Sequence, residues 1–184
     1  MRKSFAILSA LLILAACNLP RSNLGSNPGG AGVPQDVATT NPQACISNWD
    51  TRPLPAISAR LQSAIRAAGL TGVRASAEAY GEDCTYPQGN APTSFTSMET
   101  DFHITARVAD LSDTAALGNL LEKVLVILDA FPAGSTPGPQ PGTIRVSFQA
   151  GSDELNLTFT TTAEQSARAL GLHGAALIEK LQNK

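Results

Sequence analysis

Asp101 and His103 stand two residues apart in an alternating run, which pairs an imidazole base with a carboxylate able to orient it and gives the beginning of a hydrolytic site. The rest of such a site is not written in the chain. Ser76 and Thr105 offer hydroxyls, yet neither lies in a Gly-x-Ser-x-Gly elbow and no third element follows at a recognisable spacing. Arg107 and Arg145 carry guanidinium forks that suit a carboxylate or a phosphate, and they have equally the charge to pair with Asp101 or Glu78 across strands. His173, set between two glycines, reads as a surface or helix-end residue. Glu82-Asp83 and Glu99-x-Asp101 offer oxygen ligands around Cys84 but lack the spacing of a calcium loop. Two distant histidines supply no zinc cluster once the cysteines are accounted for, so neither a metal nor a cofactor is expected. Gly29-Gly30-Ala31-Gly32 lacks the Lys-Ser/Thr and the preceding strand of a phosphate loop. Asn156-Leu157-Thr158 matches a glycosylation sequon by coincidence, lying as it does within an alternating strand pattern.

The elements that must hold these residues are legible from periodicity. Pro55 can open a helix, Ile57, Leu61, Ala64, Ile65 and Ala68 repeat at helical spacing, and Gly69 can close it, which predicts a helix over 55–68. Val73, Ala75, Ala77 and Ala79 alternate with Arg74, Ser76, Glu78 and Tyr80 and predict a strand over 72–80. A polar loop around Pro87, Gly89 and Pro92 leads to a second strand in which Phe102, Ile104, Ala106 and Val108 oppose Asp101, His103, Thr105 and Arg107. Ser112 is a candidate cap for a helix whose stripe runs from Leu117 to Phe131 and which Pro132 terminates; Val126 and Ile127 broaden that stripe, through burial or self-association. Ile144, Val146 and Phe148, then Leu155, Leu157 and Phe159, form a hairpin about Gly151-Ser152-Asp153. Thr162 and Gln165 have capping-box spacing for a last helix that Gly171 and Gly174 can kink or split.

The expected fold is therefore α+β, in the order α-β-β-α-β-β-α, with a single four-stranded, largely antiparallel sheet and helices on one face. Placing the apolar alternates inward projects Arg74, Glu78, Tyr80, Asp101, His103, Arg107, Arg145 and Gln149 onto the other face, joined by Thr105, Asn156 and Thr158. This is the candidate binding face. The same mixture is also the ordinary outside of an antiparallel sheet. Gly72-Val73-Arg74-Ala75-Ser76 resembles Thr143-Ile144-Arg145-Val146-Ser147, a five-residue hint of duplication.

Before residue 45 the chain changes character. Arg2 and Lys3 precede the apolar run Phe5 to Ala16, whose 12 residues fall short of the roughly 20 needed to span a bilayer as a helix. The run ends in Leu14-Ala15-Ala16-Cys17, which resembles the lipobox of bacterial lipoproteins. That resemblance, over some 20 residues, implies a signal peptide over 1–16 and acylation of Cys17, and thus membrane lipid as a partner. Acyl chains contribute about 0.8 kcal/mol of membrane affinity per buried methylene, so two or three would anchor the protein stably. Residues 17–44, rich in Pro, Gly and Asn, read as a flexible tether, and 45–184 as the α+β domain.

Cleavage would leave 168 residues with 11 basic against 15 acidic side chains, a balance that excludes nucleic acid as a partner. In an extracytoplasmic, disulfide-permissive compartment, the remaining even pair, Cys45 and Cys84, is expected to be bridged, closing a loop of about 40 residues at a gain of roughly 4 kcal/mol in the chain-entropy treatment. The functional expectation is a membrane-anchored binding or envelope-assembly module with an envelope protein or glycan as partner. The rival is a lipid-anchored hydrolase acting on envelope material through His103.

Overall fold

The computed structural model describes residues 45–86, 94–132 and 134–182. The expected signal peptide, Cys17, the tether and the loop around Pro87 and Pro92 lie outside the described residues. In order, the elements are β1 (Ile46–Pro53), α1 (Pro55–Ala67), β2 (Val73–Thr85), β3 (Ser94–Arg107), α2 (Thr114–Leu128), β4 (Thr143–Ala150), β5 (Asp153–Thr160), α3 (Thr161–Ala169) and α4 (Gly174–Gln182). The five strands form one sheet in the order β1-β2-β3-β4-β5.

The α+β class and the helices on one face follow the expectation, but the sheet has five strands and not four. The additional strand, β1, has all eight residues exposed and no apolar alternation to betray it. Its backbone pairs antiparallel with β2, from Ile46 opposite Thr85 to Pro53 opposite Glu78. A disulfide between Cys45 and Cys84 pins the start of β1 to the end of β2, with Cα atoms 5.4 Å apart. The β2-β3 and β4-β5 pairings are antiparallel as well, whereas β3 and β4 run parallel. Parallel neighbours need a crossover, and α2 provides it.

One apolar cluster fills the space between sheet and helices. Phe102, Ile104, Ile144, Val146, Phe148, Leu157 and Phe159 face Leu61, Ile65, Leu117, Leu121, Leu125, Leu177, Ile178 and Leu181. The alanine stripe of β2 allows α1 to lie directly over that strand, since a methyl group occupies little of the gap. Val126 lies outside the core at 62% exposure, while Ile127 packs against it.

Several caps differ from the sequence reading. Asp113, rather than Ser112, caps α2 by accepting from the Ala116 amide at 2.9 Å, because Ser112 is already bonded to Asp110. Thr160, rather than Thr162, caps α3. The final helix is split into α3 and α4, with Gly171 at φ of 71° between them and Gly174, at 53°, opening α4. Both β2 and β3 run further than their alternation suggests, out to the bridged end, with a register shift at Tyr80/Gly81.

The local likeness of residues 72–76 and 143–147 has no counterpart in symmetry. From β2 to β3 and from β4 to β5 the chain steps sideways in the same direction, yet β4 runs opposite to β2. Both hairpins turn the same core-facing side to the helices, so they have opposite hands and no rotation superimposes them.

Candidate binding face of the sheet

Register places the polar side chains in rows across the open face. Glu78 lies opposite Asp101, Ser76 opposite His103, and His103 beside Arg145, so residues from β2, β3 and β4 meet at the centre of the sheet. His103 Nε2 is 2.8 Å from Glu78 Oε1. Arg145 reaches two carboxylates, Glu78 Oε1 at 3.6 Å and Asp101 Oδ2 at 3.5 Å. Asp101 is only 3% exposed, and its Oδ1 accepts a hydrogen bond from the Thr143 amide at 2.8 Å. The carboxylate beside His103 is therefore Glu78 rather than Asp101, which instead fastens the first residue of β4 to β3.

Glu99 adds a third carboxylate on this face, opposite Tyr80. Burial, and then the nearby charge of Asp101, push its pKa above the ordinary glutamate value, while Arg145 partly offsets them. Three acids thus share one arginine, and the half-buried Glu78 and Glu99 leave the centre of the face with an excess of hydrogen-bond acceptors. Among the described residues no serine or threonine hydroxyl bonds His103, and no group of three or more His, Cys, Asp or Glu side chains has the geometry to hold a metal ion.

Beside this network lies a feature absent from the sequence reading. Trp49 of β1 stacks on Tyr80 of β2, with ring centroids 5.2 Å apart and planes inclined by 14°. Trp49 pairs with Glu82 and Thr51 with Tyr80, so the two rings sit diagonally on the open face. Trp49 remains 60% exposed. Its signal in the sequence was being the chain's single tryptophan close to a cysteine, and that signal has no meaning until β1 is known to be a strand.

The remaining candidates on the face are separated from this centre. Arg107 and Arg74 lie near the opposite end of β2 and β3 from Trp49, on either side of the Val73–Ala106 pair, and neither takes part in an ion pair among the described residues. Gln149 is beside Arg107 in the parallel register. The pairing of Arg145 with Glu78 and Asp101 means that Arg107 and Arg145 do not form a clamp together.

A cavity of about 250 Å³ lies on the helical side of the sheet, between the end of α2, α3 and the loop before β4. Phe102, Phe131 and Ile144 floor it, and Glu164 and Gln165 stand in its wall. None of the residues of the candidate binding face lines it. Glu164 is held there by Arg168 at 2.8 Å, and Arg168 grips Asp129 as well.

Residues 1–18 match the family described as the prokaryotic membrane lipoprotein lipid attachment site. The chain carries a lipoprotein's lipid attachment site. For this lipoprotein the match ends before the folded domain, for which no family is recognised, and no curated protein or solved structure matches the chain. No helix among the described residues is long and apolar enough to cross a membrane.

Proposed function

We propose that this lipoprotein is a binding module of the cell envelope, held on the extracytoplasmic side of the membrane through acylated Cys17 and a tether over 17–44, and that its open sheet face holds an envelope glycan. The observation that carries this reading is the exposed Trp49 ring stacked on Tyr80 beside the Glu78, His103, Arg145 and Asp101 network. A sugar ring has one face of C–H groups and an equator of hydroxyls. The indole offers the flat apolar surface for the former, and the carboxylates and guanidinium offer acceptors and donors for the latter. Fixing those groups to each other and to the sheet before binding lowers the ordering cost of capture.

Calorimetric titration of the full lipoprotein in detergent micelles with fragments of envelope glycans tests this. Saturable heat that is lost in Trp49→Ala, and weakened about tenfold by removal of the stacked partner in Tyr80→Ala, is the expected result. Unchanged binding in both variants and in Arg145→Gln would overturn the assignment of this face. Loss of an envelope-protein complex in the same variants, with no glycan heat, would keep the face and replace the partner.

A further inference from the structure

Because β1 ends opposite Glu78, the stretch Val73–Ala77 of β2 has no strand on its outer side among the described residues. Side chains of α1 take the place of one. Gln62 donates to the Val73 carbonyl at 3.1 Å and accepts from the Ala75 amide at 2.9 Å, and Ser58 accepts from the Ala77 amide at 2.9 Å. The missing strand leaves a concave notch along this edge, and into it come Arg66 from the last turn of α1, Arg74 from β2 and Arg107 from the end of β3. All three arginines are exposed, and none has an ion-pair partner among the described residues. Among the described residues no carboxylate lines the notch, although acids outnumber bases in the chain, 15 to 13.

We infer that this notch is an anion site for a phosphate group. Arg74 and Arg107 are diagonal neighbours on one side of the β2-β3 pair, where Cβ atoms typically lie about 7–8 Å apart or somewhat less, within reach of a common ligand for side chains of this length. Arg66 approaches from the helical side, so the guanidiniums flank the edge rather than lining up on one surface. Three permanent cations suit the two charges and several acceptor oxygens of a phosphate better than the single charge of a carboxylate. The backbone of β2 here is occupied by Gln62 and Ser58, so an added peptide strand finds no free ladder. Arg74 lies eight residues along β2 from Glu82, the partner of Trp49, and four from Glu78, roughly 26 and 13 Å at ordinary strand rise, so the notch is separate from the Trp49 end of the face and its anion binding does not rest on the glycan reading.

The phosphate has two chemical sources, a free phosphate ester and the headgroup of an anionic lipid, and one experiment separates them. The full lipoprotein, isotopically labelled and held in nanodiscs of zwitterionic lipid, is titrated with inorganic phosphate against sodium chloride of equal ionic strength, following the side-chain Nε–H signals of Arg66, Arg74 and Arg107. The same signals are then compared in nanodiscs containing phosphatidylglycerol. Saturable shifts with phosphate, weakened about tenfold by Arg107→Gln and abolished in the triple Gln variant, establish the site with a soluble ligand. A response confined to the anionic nanodiscs, and lost in the same variants, establishes it with the lipid headgroup as source. Shifts no larger than those of chloride in both arms, or shifts at Gly72 that survive the triple variant, overturn the site. Unchanged Trp49 emission and melting temperature show that the variants are folded.

Discussion

Asp101 Oδ1 accepts the Thr143 amide at 2.8 Å while its other oxygen faces Arg145 at 3.5 Å, so a single buried carboxylate joins β3 to the first residue of β4 and orders the centre of the polar face. Two strands brought together by a long crossover gain here a polar tie outside the regular ladder. In Asp101→Ala the half-buried Thr143 amide and Arg145 both lose that acceptor, and stability is expected to fall by about 1–2 kcal/mol, toward the lower end of the cost of leaving a donor unmet. Asp101→Asn keeps the carbonyl acceptor and should recover most of the loss. Denaturant unfolding of the two variants under oxidising conditions measures the difference.

The Cys45–Cys84 bridge has a local role that follows from the exposure of β1. With no buried side chain, β1 is held by backbone pairing, the bridge, the Trp49–Tyr80 stack and exposed contacts of Arg52 with Asp83 and the Phe95 ring and of Ser47 with Glu82. Replacing both cysteines by serine is expected to cost about 4 kcal/mol at most in the chain-entropy treatment, and to free β1 before the core opens. Because Trp49 is the single tryptophan, its emission should shift to the red on reduction while the far-ultraviolet helix signal persists. Simultaneous loss of both signals would show that β1 and the core unfold as one unit.

The elements legible in the sequence are those with an apolar side to bury. Helix α1, opened by Pro55 and followed by Gly69 at φ of 73°, and the β4-β5 hairpin about Gly151 at φ of 64°, lie where periodicity and turn chemistry place them. Strand β1 is invisible by the same logic, since ISNWDTRP buries nothing and its strand state is imposed by β2 and the disulfide. The polar face suffers in consequence. Arg145, Glu78, Asp101 and His103 could be put on one side of the sheet by alternation, but which carboxylate meets His103 depends on the β2-β3 register, and Trp49 depends on a strand that alternation does not reveal. The Arg66, Arg74 and Arg107 notch is harder still, because it joins a helix end to two strands at a place where a neighbouring strand stops short.

Gly118 of α2 meets Gly174 at the start of α4 so closely that a Cβ on Gly118 would stand 2.0 Å from the Gly174 carbonyl oxygen. Backbone cannot swing aside as a side chain can. The contact is also tied by Glu122, whose Oε1 accepts the Gly174 amide at 2.6 Å. Gly118→Ala improves helix propensity by nearly 1 kcal/mol, yet the collision is expected to outweigh it and leave a net loss of about 1–3 kcal/mol. A melting temperature equal to or above that of the parent protein would show that α4 can move away without loss.

Glu99 and Glu122 should report on pH with opposite signs. In Glu99, burial and the charge of Asp101 raise the pKa of the folded state, so ionisation opposes folding as pH rises through and beyond the ordinary glutamate range. Glu99→Gln is therefore expected to stabilise the protein at neutral pH, with a benefit that disappears below the unfolded-state value near 4.5. In Glu122 the Gly174 amide, and then His173, lower the pKa, which makes its ionised form stabilising above about 4.5 and withdraws that contribution as pH falls through the folded value. Glu122→Gln should accordingly destabilise at neutral pH and match the parent in acid. Denaturation curves of both variants from pH 3 to pH 7 should give stability differences that separate in opposite directions as pH rises; if the two move together, the charge environment assigned to Glu99 is wrong, and with it the excess of acceptors on the face beside Trp49.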